Sequence, residues 1–406
     1  MKVLIVGSGG REHAIAWKLS KNKNIEKIFI APGNAGTYLL PNAESVNLNS
    51  INEYVNFAEK NEIALTVVGS EELLVQGIVD EFRKKGLKIF GPDKKSAILE
   101  GSKAYAKNFM KKYGIKTAEY EIFDNYAEAL KYLDGYNKEK FPVVIKASGL
   151  AAGKGVIIAE NLKEATDAVT DIMINKKFST SGDKIIIEEY LSGVEASILS
   201  FTDCKTIIPL ISAKDHKKVG EGETGLNTGG MGVISPNPYV TDKVFEEFTE
   251  NIMKPTLKGI QNEGMDFEGV IFFGLMITQK GVYLLEYNMR LGDPETQAVL
   301  PLLEMDFYYI IEKSFEKKLD EITIQWKSLH SCCIVVAAGG YPEKYDKGEE
   351  ISGILRKEKD DELLFLCGVE KKNDRFITSG GRVLNIIALG NTSEEARKKA
   401  YKAIEN

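Results

Sequence analysis

The stretch Glu286-Tyr287-Asn288-Met289-Arg290 sets a carboxylate, an amide oxygen and a guanidinium at alternate positions. The apolar run at 282–285 before it reads as a buried strand, and alternate residues of a strand share one face. Glu286, Asn288 and Arg290 are therefore expected to line one wall. Hard oxygens suit Mg2+, which takes one or two protein ligands and completes its shell with water and nucleotide phosphates. Arginine matches a carboxylate or a phosphate bidentately. The spacing points to a magnesium nucleotide beside a second anion, against the plainer reading of three solvated residues at a strand end. Gly292-Asp293-Pro294 breaks the strand straight afterwards, which leaves the group at a strand terminus, where sites in α/β folds sit.

Two glycine-rich stretches could meet phosphate. Ala147-Ser148-Gly149-Leu150-Ala151-Ala152-Gly153-Lys154-Gly155 follows an apolar strand ending in Lys146 and precedes another at 156–159. It is one residue short of a Walker A sequence, has Gly155 where a hydroxyl should bind magnesium, and joins strand to strand, so it is not a P-loop. A glycine hairpin with Lys146 on the rigid side and Lys154 on the loop fits a flap over phosphates. The turn Gly7-Ser8-Gly9-Gly10-Arg11-Glu12-His13 fails as a dinucleotide fingerprint. Glu12 stands at the third glycine, and the second strand ends without an acidic residue. Amides at a glycine turn opening a helix still favour a monophosphate, with Arg11 assisting. A tight turn that needs glycine for steric reasons is the competing reading.

The elements that hold these residues follow from pattern. Strands at 2–6, 27–30, 64–68 and 87–90 alternate with helices at 12–19, 51–60 and 72–85, which implies a parallel sheet. Its loops at Gly9, Asn34 and Ser70 should open on one edge. A helix at 104–113 begins a new unit, and an apolar strand at 184–191 ends in Glu188-Glu189-Tyr190, with Glu195 shortly after. Such a strand can supply an adenine cleft, although paired glutamates at strand ends are usually just solvated. The long segment from Asp215-His216-Lys217 through Asn227 to Gly232 has no apolar period and reads as a functional loop. A helix at 243–263, strands at 270–277 and 331–338, and a helix at 394–404 complete the pattern.

At 406 residues the chain exceeds one core and divides into roughly two to four domains. Its net charge of -6 argues against a general binder of nucleic acid or membrane surface, which needs a basic field. No apolar stretch is long enough to span a bilayer. The four cysteines lack CxxC spacing, so buried free thiols in a reducing cytoplasm are expected.

Flap, adenine-side strand and metal strand, in this order, resemble the ATP-grasp ligases. Gly9-Gly10-Arg11-Glu12-His13, Pro32-Gly33-Asn34-Ala35-Gly36-Thr37, Lys146-Ala147 with the glycine hairpin, Asp215-His216-Lys217, Glu286-Tyr287-Asn288 and Gly380-Gly381-Arg382-Val383 look like the glycinamide ribonucleotide synthetase (phosphoribosylamine-glycine ligase) family. The resemblance covers essentially the whole chain. Ser70, Leu226 and Ile234 depart from residues usual in that family, and the basic and aromatic tail that relatives often carry is not seen before Asn406.

The resemblance implies an α/β and α+β multidomain ATP-grasp fold. An amino-terminal parallel α/β domain would span 1–101, a central domain 102–119 with 191–322, a lid 120–190 and a carboxyl-terminal α+β domain 323–406. It implies that ATP phosphorylates glycine and that the amine of 5-phosphoribosylamine then attacks glycyl phosphate. Glu286 and Asn288 would hold Mg2+ or Mn2+, and Lys103, Lys146, Gly153 and Lys154 would face the ATP phosphates. Glu188, Glu189 and Tyr190 would meet adenine and Glu195 the ribose. Arg290 and Asp215, with Lys146, would act at the glycine and the amine. Gly9, Gly10, Arg11 and Asn34 would lie near the ribose phosphate, and Asn227 and Gly292 would also bind substrate. Expected partners are the small molecules alone, without nucleic acid or membrane, on a monomer or weak dimer. The alternatives are another purine-pathway ATP-grasp ligase or carboxylase, and, from a different class, a nucleotide-binding regulator without turnover.

Overall fold

Strand Lys2–Gly7 buries Val3, Leu4, Ile5 and Val6 on both faces, as a strand covered by helices must. In this computed structural model, which describes residues 1–136, 141–151, 153–355 and 359–405, it is the middle of a five-stranded sheet. The order is Ala43–Ser45, Lys27–Pro32, Lys2–Gly7, Ile63–Val68, Ile89–Phe90, all parallel. Gly7 pairs with Pro32, and Val6 with Val68. The loops carrying Gly9, Asn34 and Glu71 therefore leave one edge together. Ala152 of the glycine flap and the chain end at Asn406 lie outside the described residues.

Two local expectations are corrected here. The helix expected over 72–85 is divided into Glu71–Gln76 and Ile78–Lys84, because Gly77 adopts a left-handed φ of +98°. Helix Lys94–Gly101 has no counterpart among the expected elements. Its buried face includes Ser96 and Glu100, so an apolar period does not show.

A second, antiparallel sheet runs Ile207–Pro209, Val194–Thr202, Gly269–Thr278, Gly281–Asn288. Gly274 pairs with Glu286 but Leu275 with Leu284, so Leu285 is an extra residue. Such a bulge re-aims the side chains beyond it, here those that end the strand. A third antiparallel sheet orders Tyr120–Phe123, Ile185–Glu189, Val143–Ala147, Val156–Ala159. Helix Leu162–Met173 covers it because Ala165, Ala168, Val169 and Ile172 recur at helical spacing and join Ile145 and Ile187 in one apolar cluster. Asn161 caps that helix by accepting from Glu164 N.

The fourth sheet orders Lys214–Asp215, Gly232–Ser235, His330–Ala337, Arg382–Gly390, Glu362–Leu366. It takes strands from both sides of residue 323, so Asp215 is hydrogen-bonded into a sheet completed by the last third of the chain. The long segment after Asp215 is not all loop. Lys218–Gly220 and Thr224–Asn227 form a hairpin whose second strand is exposed throughout, which removes any apolar signal. One apolar cluster runs from Ile5, Val67 and Phe90 through Phe201, Phe272 and Phe307 to Cys333 and Phe365, so the first, second and fourth sheets share a core, while the third packs in a cluster of its own. The four cysteines are free.

Candidate active site

Lys146 and Glu188 occupy diagonal positions of adjacent antiparallel strands, with Val144 opposite Glu188 and Lys146 opposite Ile186. Their side chains meet, Lys146 Nζ lying 3.0 Å from Glu188 Oε2. Lys107, on helix Lys103–Lys112, reaches the same oxygen at 3.1 Å. The Lys107 and Glu188 side chains are each only 2% exposed, so Glu188 is not the solvated strand-end glutamate of the plainer reading. Burial drives the Lys107 ammonium down to about 8 against the pull of Glu188. Glu189 accepts from Glu119 N at 3.0 Å, and Tyr190 is exposed.

Lys103 begins the same helix, whose first turn carries the root of the glycine flap. Lys103 N donates to Ser148 O at 2.8 Å, Ala104 N to Ser148 Oγ at 3.1 Å, and Lys103 Nζ to Gly149 O at 3.3 Å. Gly153, with φ +74°, and Lys154 are exposed further along the flap.

Glu286 stands in the field of several cations. Burial favours its neutral form, but Lys217, Lys103, Lys146 and Arg290 outweigh burial and hold the carboxyl below the ordinary range. Lys217 Nζ donates to Glu195 Oε2 at 2.6 Å. Burial disfavours the Lys217 charge, yet Glu195, Glu286 and Asp215 keep its ammonium above the usual lysine range. Asn288 Oδ1 lies 3.4 Å from Arg290 Nη2. The alternate-residue trio is thus brought together. Among the described residues no group of three or more His, Cys, Asp and Glu side chains could hold a metal. Glu286 and Asn288 instead offer two hard oxygens, a donor set that fits an ion drawing its remaining ligands from water and phosphate.

Arg290 is oriented by carboxylates. Its Nη2 lies 3.0 Å from Glu100 Oε1 and its Nε 3.4 Å from Glu71 Oε2, while Nη1 donates to Leu291 O at 3.2 Å. Asp215 is treated differently. It is buried, its Oδ1 has no hydrogen-bond partner, and burial with the nearby charge of Glu295 raises its carboxyl well above the usual range. Burial raises Glu295 too, although Ser197 Oγ donates to its Oε1 at 3.2 Å.

The glycine loop closes over Asp215. A Cβ at Gly230, where φ is +109°, would stand 2.7 Å from Asp215 Oδ1 and 2.5 Å from Pro294 Cδ. Residues from the last third of the chain fix this approach. Arg382 Nη1 donates to Gly229 O at 2.7 Å and Asp293 O at 3.0 Å, and Gly229 N donates to Tyr341 Oη at 3.0 Å. A Cβ at Gly292 would meet Glu295 Oε2 at 2.5 Å, so both glycines admit backbone beside a carboxylate.

The amino-terminal turn departs from expectation. Two of its amides already have acceptors in the chain: Gly9 N donates to Glu12 Oε2 at 2.6 Å and Arg11 N to Asp293 Oδ2 at 3.5 Å. Two amides of the cradle expected for a phosphate are therefore engaged by the protein's own groups in this conformation. Arg11 is likewise engaged, with Glu12 Oε1 at 2.6 Å and Leu291 O at 3.0 Å, rather than free to assist. Asn34 shapes the turn, donating to Ser8 O at 2.7 Å and Leu366 O at 2.8 Å while accepting from Gly36 N at 2.7 Å. Asn227 is exposed on the hairpin, and among the described residues no side-chain hydrogen bond ties it to the cluster.

Sequence reasoning passed over Lys107, Glu71, Glu100 and Glu295. A signal existed for Lys107, a lysine on the apolar face formed by Ala104, Ala106, Phe109 and Met110. Glu71 and Glu100 gave none, because their partner Arg290 is remote in sequence.

Comparison with known proteins converges on one assignment. Three phosphoribosylglycinamide synthetase profiles match: the N domain over residues 1–100, the ATP-grasp (A) domain over 101–296 and the C domain over 331–406. A phosphoribosylamine–glycine ligase from Fusobacterium nucleatum is 58% identical across 100% of this chain and 95% of its own length. Another, from Clostridium acetobutylicum, is 57% identical across 100% and 96%. The crystal structure of phosphoribosylamine–glycine ligase from Thermotoga maritima superposes with a TM-score of 0.85 at 34% identity, covering 100% of this chain and 96% of that one. Agreement along the full length, in sequence as in fold, shows that the chain belongs to the phosphoribosylamine–glycine ligase family of ATP-grasp enzymes.

Proposed function

We infer that this chain joins glycine to 5-phosphoribosylamine at the expense of ATP, by way of glycyl phosphate, giving glycinamide ribonucleotide, ADP and phosphate in purine biosynthesis. The observation that carries the reading is the convergence of Lys217, Lys103, Lys146 and Arg290 on one ionised carboxylate, Glu286, at a strand terminus. A carboxylate attacking a γ-phosphate brings like charges together, and a preorganised cationic wall lowers that barrier. Lys103 and Lys146 are assigned to the phosphates, Glu188 with the backbone of Glu189 and Tyr190 to adenine, and Glu195 to the ribose. Glu286 and Asn288 would hold Mg2+ or Mn2+, which when bound supplies further shielding of the transferred charge.

On the other side Arg290, held by Glu71 and Glu100, faces the carboxylate of glycine. Asp215 faces the amine of 5-phosphoribosylamine. Its raised carboxyl affinity for protons suits it to take the proton that the amine sheds on forming the amide. Gly9, Gly10, Arg11 and Asn34 are assigned to the ribose phosphate side, where Asp293 must yield the Arg11 amide for a phosphate to enter. Segment 120–190, with its glycine flap, serves as the lid that keeps water from the acyl phosphate.

A coupled assay of ADP release tests the reading. Turnover is expected only when glycine and 5-phosphoribosylamine are both present. Equal turnover with another carboxylate would overturn the substrate assignment, and turnover with bicarbonate would identify a carboxylase.

A further inference from the structure

Lys107 is a fully buried lysine that neither lines the glycine flap nor begins its helix, yet three elements meet on its ammonium. It lies 3.1 Å from Glu188 Oε2, donates to Thr117 Oγ1 at 2.7 Å and stands over the Tyr120 ring at 5.4 Å. Thr117 passes the connection on, its hydroxyl donating at 2.6 Å to Leu284 O on the strand that carries Glu286 and Asn288. Glu188 is used unevenly. Oε2 is shared by Lys107 and Lys146, while Oε1 is buried without a hydrogen-bond partner. A buried carboxylate oxygen with nothing bonded to it is costly, and a ligand donor is the natural group to satisfy it.

We propose that Lys107 is a positioning residue for nucleotide selection: it pins Glu188 from behind, so that Oε1 is presented as an acceptor to the 6-amino group of an adenine base. The inference rests on the reading of this cleft as the ATP site. A carboxylate oxygen accepts from a 6-amino group and repels the 6-keto oxygen of hypoxanthine or guanine, which needs a donor in that place. Without Lys107, Glu188 keeps a single cation in a dry setting. Its carboxylate then turns wholly to Lys146, which withdraws Oε1 from the base and ends the discrimination.

The test uses the full-length enzyme with Lys107→Met, a near-isosteric change that removes the charge. Steady-state KM and kcat are measured for ATP and for inosine triphosphate at saturating glycine and 5-phosphoribosylamine. KM for ATP is expected to rise by about 10- to 100-fold, the ratio of kcat/KM for ATP over inosine triphosphate to fall about tenfold, and KM for glycine to stay within about twofold. Glu188→Gln combined with Lys107→Met should be little worse than Glu188→Gln alone, because one residue acts through the other. Should Lys107→Met fail to fold, Thr117→Val removes the hydroxyl that steers the ammonium and is expected to lower the same ratio less. An unchanged ATP KM, or ATP and inosine triphosphate declining in parallel, overturns the role of Lys107 while leaving the ligase reading intact. A wild-type enzyme without glycine-dependent ATP turnover overturns both.

Discussion

Two sets of carboxylates in the cleft are treated in opposite ways. On the side proposed for the nucleotide, Glu188 takes Lys107 and Lys146, Glu195 takes Lys217, and the surrounding lysines hold Glu286 ionised. On the side proposed for the acceptor, Asp215 and Glu295 are buried near one another, both shifted toward the protonated form, and Asp215 Oδ1 is unbonded. The first set is already balanced by cations. In the second, Asp215 Oδ1 has no such partner. The contrast supports the proposed division of labour, in which the nucleotide half binds and the acceptor half moves a proton, and a buried carboxylate kept short of partners is the cost of that task.

Four substitutions would break or sharpen this contrast. The largest effect is expected for Glu286→Gln, with kcat/KM falling about 1000-fold or more as the metal site loses its anionic ligand. Circular dichroism should show the fold retained. The sign of the stability change is also set: a carboxyl held low in the fold contributes stability above its unfolded range and loses it as pH falls. Glu286→Gln should therefore be less stable than wild type at neutral pH, the gap closing in acid. A more stable variant at pH 7 would remove the balanced-charge account of this side.

Asp215→Asn comes next, with kcat reduced about 100-fold through loss of the proton acceptor. Its stability should move the other way. A carboxyl raised in the fold contributes fully only below its unfolded range and loses that contribution as pH rises, so the unpaired charge is a burden at neutral pH. Thermal unfolding at pH 7 to 8 should show the variant about 1 kcal/mol more stable, and at about pH 4 the advantage should vanish. Equal destabilisation across that range would mean that Asp215 is paired after all.

Arg382→Ala releases Gly229 and Asp293 and thereby the loop above Asp215. KM for 5-phosphoribosylamine is expected to rise about tenfold while KM for ATP changes less than about twofold, since only the acceptor side loses its support. A parallel rise in both would show that the two sides are one mechanical unit. The smallest effect belongs to Ser197→Ala, which removes the hydrogen bond that favours ionised Glu295. The pH–rate profile should move to higher pH by less than about one unit, with kcat at its optimum nearly unchanged.

Local pattern was enough to read much of this protein. Alternating apolar strands and helices gave the parallel sheet, the 282–285 run gave the strand that Glu286 and Asn288 end, and Lys146 was legible as a lysine in an apolar strand. Glycine turns marked the flap and the loop over Asp215, because positive φ and close backbone approach leave few other residues possible. What the sequence by itself determined is therefore what depends on neighbours a few residues away: strand period, turn chemistry and the types of side chain at each strand end.

Tertiary structure alone decided which charges meet. Lys107 and Glu188, Arg290 with Glu71 and Glu100, and Arg382 with Gly229 and Asp293 are pairs brought together from distant segments, and no period connects them. It also decided that the Arg11 amide is occupied, since Asp293 arrives from a distant segment, whereas the Gly9 amide is met by Glu12 three residues on. The physical reason is that an ionisable group takes its state from desolvation and from charges a few ångströms away in space, and both are properties of packing, not of sequence neighbours.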